Sequence, residues 1–366
     1  MMNKYACLLV DYCLSMSKGQ KLLLKSTTLA EPLIREVYRE TIKRGAFIDI
    51  DMSFSGMSKI FYDNADEQQL SYVNPVTQMQ FETYDAYLVI RAPFNLREDQ
   101  QVDPQKKRKR GEALSVIDEL YSTRTADGSM KRCLCQYPTE ASAQEAGLSL
   151  EEYEDFIFNA CKLYDDDPVA SWKTLGKNQQ KIVDYLNGVG DMRYVNDKTD
   201  ISFSVKNRVW INSDGKANMP SGEVFSAPVE DTVNGKVFFD YPSIYNGKEA
   251  RGIELQVKDG EVVAWDAELG KELLDEIFAT SGANFFGEVA IGTNYGINRA
   301  TKNILFDEKI GGTIHMAVGR SYLQCGGKNK SQIHWDMIAD MTRGGKIYAD
   351  GVLIYENGVF LGQLSL

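Results

Sequence analysis

From Gln20 to about Tyr137 the chain alternates apolar runs of strand length with amphipathic stretches of helix length. Lys21 to Lys25, Phe47 to Met52, Ala86 to Ile90 and Cys133 to Tyr137 are the strand-like runs, and Glu31 to Lys43 and Gly111 to Tyr121 are helical. A strand that returns parallel to its neighbour needs a crossover of helix length, so the alternation predicts an α/β layer on a mainly parallel sheet. Amphipathic helix continues over Ser142 to Leu163, with Glu151, Glu152 and Asp155 set against Leu148, Leu150, Tyr153 and Phe156. A helix from Gly176 to Gly188 closes this half.

Beyond Tyr194 the texture changes. Short β-like runs such as Ile201 to Val205 and Val209 to Ile211 now lie among Asp-Gly and Asn-Gly turn signals, at Asp214-Gly215, Asn234-Gly235, Asn246-Gly247 and Asp259-Gly260. Helices are expected at Leu269 to Thr280 and Gly311 to Tyr322, and closing strands near Ile333 to Ala339, Lys346 to Tyr348 and Val352 to Tyr355. A chain of 366 residues exceeds what one hydrophobic core usually supports. The reading is therefore an α/β N-terminal domain over residues 1–194 and an α+β C-terminal catalytic domain over 195–366.

Charge and cysteine usage remove several functions. A net charge of −11 repels phosphate backbones and anionic membranes, and no apolar run is long enough to span a bilayer, so neither nucleic acid nor membrane is expected as a partner. The one basic run, Lys106 to Arg110, reads as the solvated start of a helix. The N-terminus has Asp11 inside its short apolar stretch and no small-residue cleavage site, which points to the cytoplasm. Six scattered cysteines form no disulfide framework, and the Cys133/Cys135 pair has no second Cys/His pair to complete a tetrahedral metal site.

Histidine is the informative residue type, because the chain has two and they lie within twenty positions of each other. Strand alternation puts His334 and Asp336 on one face, with Trp335 turned the opposite way into packing. On the helical reading of Gly311 to Tyr322, Tyr322 shares the face of His315, two turns along. Glu223 is placed by its Pro220-Ser221-Gly222 punctuation on a tight loop before an apolar run, and Glu288 is embedded between Phe285-Phe286-Gly287 and Val289-Ala290-Ile291. A buried carboxylate needs a cation or a hydrogen-bond donor. Three carboxylates and two imidazoles suit a pair of borderline or hard divalent ions, Zn, Co or Mn and also Mg, with one carboxylate bridging. Such a pair activates water for hydrolysis.

At these residues the sequence resembles the aminopeptidase T and aminopeptidase S family, the thermophilic-type metallo-aminopeptidases that include aminopeptidase II of bacilli. The matching stretches are NMPSGEVFSAP, FGEVAI, LFDEKIGGTIHMAVGRSY and IHWDMIAD, joined in the N-terminal half by GQKLLLKSTTLAEPLIREVYRETIKRGA and QYPTEASAQEAGLSLEEYEDFIFNACK. The resemblance implies Glu223, Glu288, His315, His334 and Asp336 as metal ligands, Tyr322 as an active-site tyrosine, short peptides as substrates and a homodimer. Trp335 departs from the smaller apolar residue expected there.

Two other readings compete. One is a metal-dependent peptide or small-ligand binding protein of weak catalytic power on the same scaffold. The other is a cysteine hydrolase pairing Cys325 with His315 or His334, although Cys325 carries no nucleophile signature. No phosphate-binding glycine loop and no H-E-x-x-H are present. Glu308, Asp307 and Glu230 are all open as general base or as the group that grips the substrate ammonium.

Overall fold

The computed structural model describes all 366 residues and divides into two compact units. The first comprises Met1–Val169 with Lys216–Met219, and the second Ala170–Gly215 with Pro220–Leu366. The change of texture at Tyr194 lies inside the second unit.

In the first unit the strands Lys21–Thr27, Phe47–Ser53, Ala86–Arg91 and Lys131–Gln136 form a sheet whose pairings are all parallel, extended at one edge by Asn218–Met219. The parallel α/β layer expected from the alternation is present. Its crossovers run through helices, of which Glu31–Lys43 and Pro104–Ala126 are the longest. The basic run lies in the first turns of the latter helix, whose start is set by the Asp103 side chain accepting from the Gln105 amide and by Pro104. Its charges are held locally: Lys109 pairs with Glu67 at 3.1 Å, and Arg110 donates to the Leu70 and Tyr72 carbonyls.

The stretch expected as one helix over Ser142 to Leu163 is two, Glu140–Ala146 and Leu150–Ala160. Gly147, at φ +66°, ends the first in the left-handed region, and Ser149 and Glu152 open the second with a reciprocal capping box. Cys13, Cys133, Cys135 and Cys161 are buried free thiols of this unit.

The second unit carries two antiparallel sheets. The larger has nine strands, drawn from residues 191–269 and 346–360, and two of its hairpins turn at Asn246-Gly247 and Asp259-Gly260 with both residues at positive φ. That is the type I′ geometry expected of those dipeptides. Asn234-Gly235 is different. It lies inside the strand Asn234–Phe239, where a Cβ on Gly235 would stand 2.1 Å from the Asp200 carbonyl oxygen, so the glycine permits close strand approach and not a turn.

The smaller sheet runs His334–Asp340, Thr313–Gly319, Phe286–Gly292, Glu223–Ser226, Ile211–Ser213. The helix expected over Gly311 to Tyr322 is therefore a strand, Thr313–Gly319. All seven of its residues are buried, and a strand covered on both faces reads as a continuous apolar run whose period is invisible. Core side chains come from both sheets and from the helices Pro168–Leu186 and Lys271–Phe278.

Candidate metal centre

Strand register in the smaller sheet decides which side chains meet. Ala317 pairs with Glu288 on one side and Asp336 on the other, His315 pairs with Ala290 and Ile338, Gly319 with His334, and Gly292 with Glu223. Successive side chains on a strand alternate between faces. The register therefore puts Glu223, Glu288, His315, His334 and Asp336 on one face of four adjacent strands. Ala290, Gly292, Ala317 and Gly319 lie between them on that face, and their small size leaves it open.

The opposite face supplies Val224, Val289, Ile291, Ile314, Met316, Val318, Trp335, Met337 and Ala339 to the hydrophobic core. Each large aliphatic side chain buried there contributes about 1.5–3 kcal/mol, which offsets the cost of burying ionisable groups on the other face. Trp335 packs into this core as alternation requires, with Tyr245 tilted against it at 5.9 Å between ring centroids.

One irregularity aims Glu288. Phe286 opposes Val318 while Glu288 opposes Ala317, so Gly287 is an extra residue in its strand. Without that bulge, Phe286 and Glu288 would share a face. With it, Phe286 enters the core and Glu288 turns to the carboxylate side. A Cβ on Gly287 would lie 2.4 Å from each of the Gly319 and Arg320 carbonyl oxygens, so no other residue fits without strand displacement.

The donor atoms form two triads that share Glu288. His334 Nε2 is 3.3 Å from Glu288 Oε2 and 3.6 Å from Asp336 Oδ1. His315 Nε2 is 3.6 Å from Glu288 Oε1 and 3.5 Å from Glu223 Oε2. Each oxygen of Glu288 thus faces a different imidazole. Ligands about 2.0–2.1 Å from a tetrahedral ion stand roughly 3.3–3.4 Å apart, close to these separations. Glu223 Oε2, Asp336 Oδ1 and both ring nitrogens of His315 are buried without a hydrogen-bond partner in the protein, an arrangement that costs free energy unless a cation satisfies it. His334 Nδ1 donates to the Arg320 carbonyl at 2.8 Å, which leaves Nε2 facing Glu288 and Asp336. The residues present fit divalent ions.

The electrostatics agree with a site built for cations. Burial, only partly offset by Lys309, pushes the Glu223 carboxyl up to about 7, and burial pushes Asp336 up to about 6. Burial would also raise Glu288, but His315 and His334 override it and hold that carboxyl down at about 2. For the two histidines burial acts downward and the carboxylates win, pushing His315 up to about 9 and His334 up to about 10.

Tyr322 follows the His315 strand on a turn, not on the same helix, and its ring meets His334 edge-on at 5.2 Å and Phe225 at 5.5 Å. Although the residue as a whole is 41% exposed, desolvation at its hydroxyl and then the Glu288 and Asp336 charges raise the phenol above its ordinary value, so it stays a neutral donor. Glu223 opens its strand where a loop was expected, and its carbonyl accepts from the fully buried Gln179 side chain at 3.0 Å.

Of the three base candidates, Glu230 is tied to Arg208 at 2.5 Å and to the Lys328 amide at 2.6 Å, and buried Asp307 accepts from the Thr301 amide and hydroxyl. Glu308 is bound to Lys309, which reaches Glu223. The cysteine reading loses its nucleophile, because burial and then the Glu288 charge push the Cys325 thiol up to about 12. Lys309, fully buried beside Glu223, is the residue of the candidate site that sequence reasoning missed.

Compared with known proteins, residues 1–360 match the profile of Peptidase M29, the thermophilic metalloproteases. The chain belongs to the M29 family. The family resemblance read from the motifs is borne out, and membership implies use of divalent metal. Among proteins similar to this M29 chain, Aminopeptidase 2 of Geobacillus stearothermophilus is 30% identical over 351 residues, spanning 88% of this chain and 84% of that protein. Aminopeptidase PepS of Streptococcus thermophilus is 31% identical over 258 residues, 61% of each chain. A solved structure, wild-type AmpT from Thermus thermophilus, superimposes on this M29 chain with a TM-score of 0.84 over 99% of both chains at 21% identity, so the two share a fold.

Proposed function

We propose that this M29 chain is a metallo-aminopeptidase that removes the N-terminal residue of short peptides with two divalent ions held by Glu223, Glu288, His315, His334 and Asp336. The observation that carries the reading is the split of Glu288, one oxygen toward His315 and the other toward His334, which suits a carboxylate bridging two positions. The names of the aminopeptidase relatives support the substrate class. Zn, Co, Mn or Mg would suit the oxygen and imidazole donors.

Bound ions would supply Lewis-acid polarisation of the scissile carbonyl and acidification of an attacking water. The protein's own groups do the rest. Arg320 fixes the His334 ring through Nδ1. Tyr322, a neutral phenol against the His334 ring, donates a hydrogen bond to oxygen as charge develops there. Glu308, its Oε1 pinned by Lys309, would accept through its other oxygen the proton that the nucleophile gives up. All of these residues belong to the second unit, in line with a catalytic part over residues 195–366. A cytoplasmic homodimer is the location and assembly we assign with this reading. No helix is long and apolar enough to cross a membrane.

The test is chelation followed by metal analysis and assay on free and N-acetylated aminoacyl anilides. Stripping the ions should abolish turnover, re-addition of two equivalents should restore it, and the acetylated substrates should be inert. Full turnover with one bound ion sinks the two-ion reading. Tight peptide binding without turnover in the metal-loaded protein would favour the binding-protein alternative.

A further inference from the structure

The ion pair beneath the site has a consequence for the two donor triads, and the inference rests on the two-ion reading above. Lys309 comes from the turn after the short helix Ile304–Asp307 and has no solvent exposure. Its Nζ lies 3.6 Å from Glu223 Oε1 and contacts a Glu308 oxygen. A buried ammonium between carboxylates stays charged, because taking it out of water unpaired costs several kcal/mol.

Lys309 contacts one triad directly, through Glu223, and acts on the other only through the charge of Asp336, with which it makes no ion pair. Glu288, His334 and Asp336 each offer a ligand atom within 4.8 Å of the others. In the Glu223, His315 and Glu288 Oε1 triad, a permanent cation is already paired with Glu223. Glu308 offsets part of that charge from a wetter position, its side chain being 17% exposed. An incoming divalent ion at this second triad therefore meets a partly neutralised carboxylate and a like charge close by.

We propose that Lys309 makes the two ion positions unequal: tight at Glu288, His334 and Asp336, weaker and exchangeable at Glu223, His315 and Glu288. Lys309 acts here as a positioning residue, setting the charge that the second ion encounters.

The experiment is calorimetric titration of the ion-free full chain with zinc chloride. Wild type should show two separate steps, the weaker lost in Glu223→Gln and the tighter in Asp336→Asn. Lys309→Met should tighten the weaker step by about tenfold or more and shift the tighter one distinctly less, so that the two steps draw together, while Lys309→Arg, which keeps the charge, should keep them apart. Should Lys309→Met not fold, Glu308→Gln serves instead: with its offset removed, Lys309 should weaken the second step further. Two equal steps in wild type, or a weaker step that ignores both variants, overturns the inference and leaves the two-ion reading standing. Saturation at a single ion overturns both.

Discussion

Replacing Gly287 by Ala tests whether the bulge is what delivers Glu288 to the site. The added methyl would lie 2.4 Å from two carbonyl oxygens, those of Gly319 and Arg320. Carbon and oxygen in ordinary contact stand about 3.2 Å or more apart, so the Phe286–Gly292 and Thr313–Gly319 strands must separate locally by several tenths of an ångström. Overpacking of this kind costs about 1–3 kcal/mol. In a domain the size of the second unit that lowers the melting midpoint by roughly 2–4 °C for each kcal/mol. The same displacement moves both oxygens of Glu288 away from His315 and His334, so zinc affinity should fall at both positions at once. Gly111→Ala is the control: its added methyl meets nothing within 4 Å and lies inside the helix Pro104–Ala126, where alanine is favoured by up to about 1 kcal/mol. Thermal unfolding of the ion-free proteins and zinc titration of both variants decide the matter. A Gly287→Ala protein with wild-type melting and wild-type zinc affinity would refute the bulge argument outright.

Zinc binding should release protons: in the ion-free protein His315 and His334 titrate near 9 and 10, so at pH 7.5 both are protonated and must lose a proton to ligate. Affinity then rises with pH until about 10, and titration in buffers of different ionisation enthalpy counts the protons; a count near zero contradicts the assignment. Asp307, pushed by burial up to about 7, favours the folded state only while neutral. Its contribution is fully present below about pH 4 and lost as pH rises through 7, a change of roughly 4 kcal/mol. Asp307→Asn should flatten wild-type stability across that window, and an unchanged pH profile in denaturant melts would count against it. A thiol reagent on the native protein should modify Cys7 alone rapidly, since the other five cysteines are buried, and peptidase activity should survive; fast labelling of Cys325 with loss of turnover would revive the cysteine reading.

The parallel sheet of the first unit was legible because its crossovers impose two periods in alternation, and the Asn246-Gly247 and Asp259-Gly260 turns because positive φ at two successive positions selects those residues. The helix drawn over Gly311 to Tyr322 failed for the reason the site exists. His315 is 1% exposed on a strand buried on both faces, one by the core and the other by carboxylates, so apolar periodicity could not report its geometry. Lys309 was passed over because the run Asp307-Glu308-Lys309 has the composition of a surface turn. Its one available signal was a cation six residues before His315, in a stretch already suspected of holding metal.

The side chains that make up the centre were readable one at a time, but their convergence was not, and the difference is a matter of parity. Four strands contribute the five candidate ligands, and a slip of one residue in any pairing would send that strand's candidates into the core. Sequence fixes parity within a strand, which is why His334 and Asp336 could be placed together and Trp335 opposite. Parity between strands is set by the apolar residues on the far face, Val289, Ile291, Met316, Val318 and Met337, which can be buried in only one register. The Glu288 strand then breaks its own alternation at Gly287, so that Phe286 serves the core and Glu288 joins the face of the imidazoles and carboxylates. A glycine between an aromatic residue and a buried carboxylate is what such a bulge looks like in sequence, and only the carbonyl oxygens of the neighbouring strand show why no side chain can stand there.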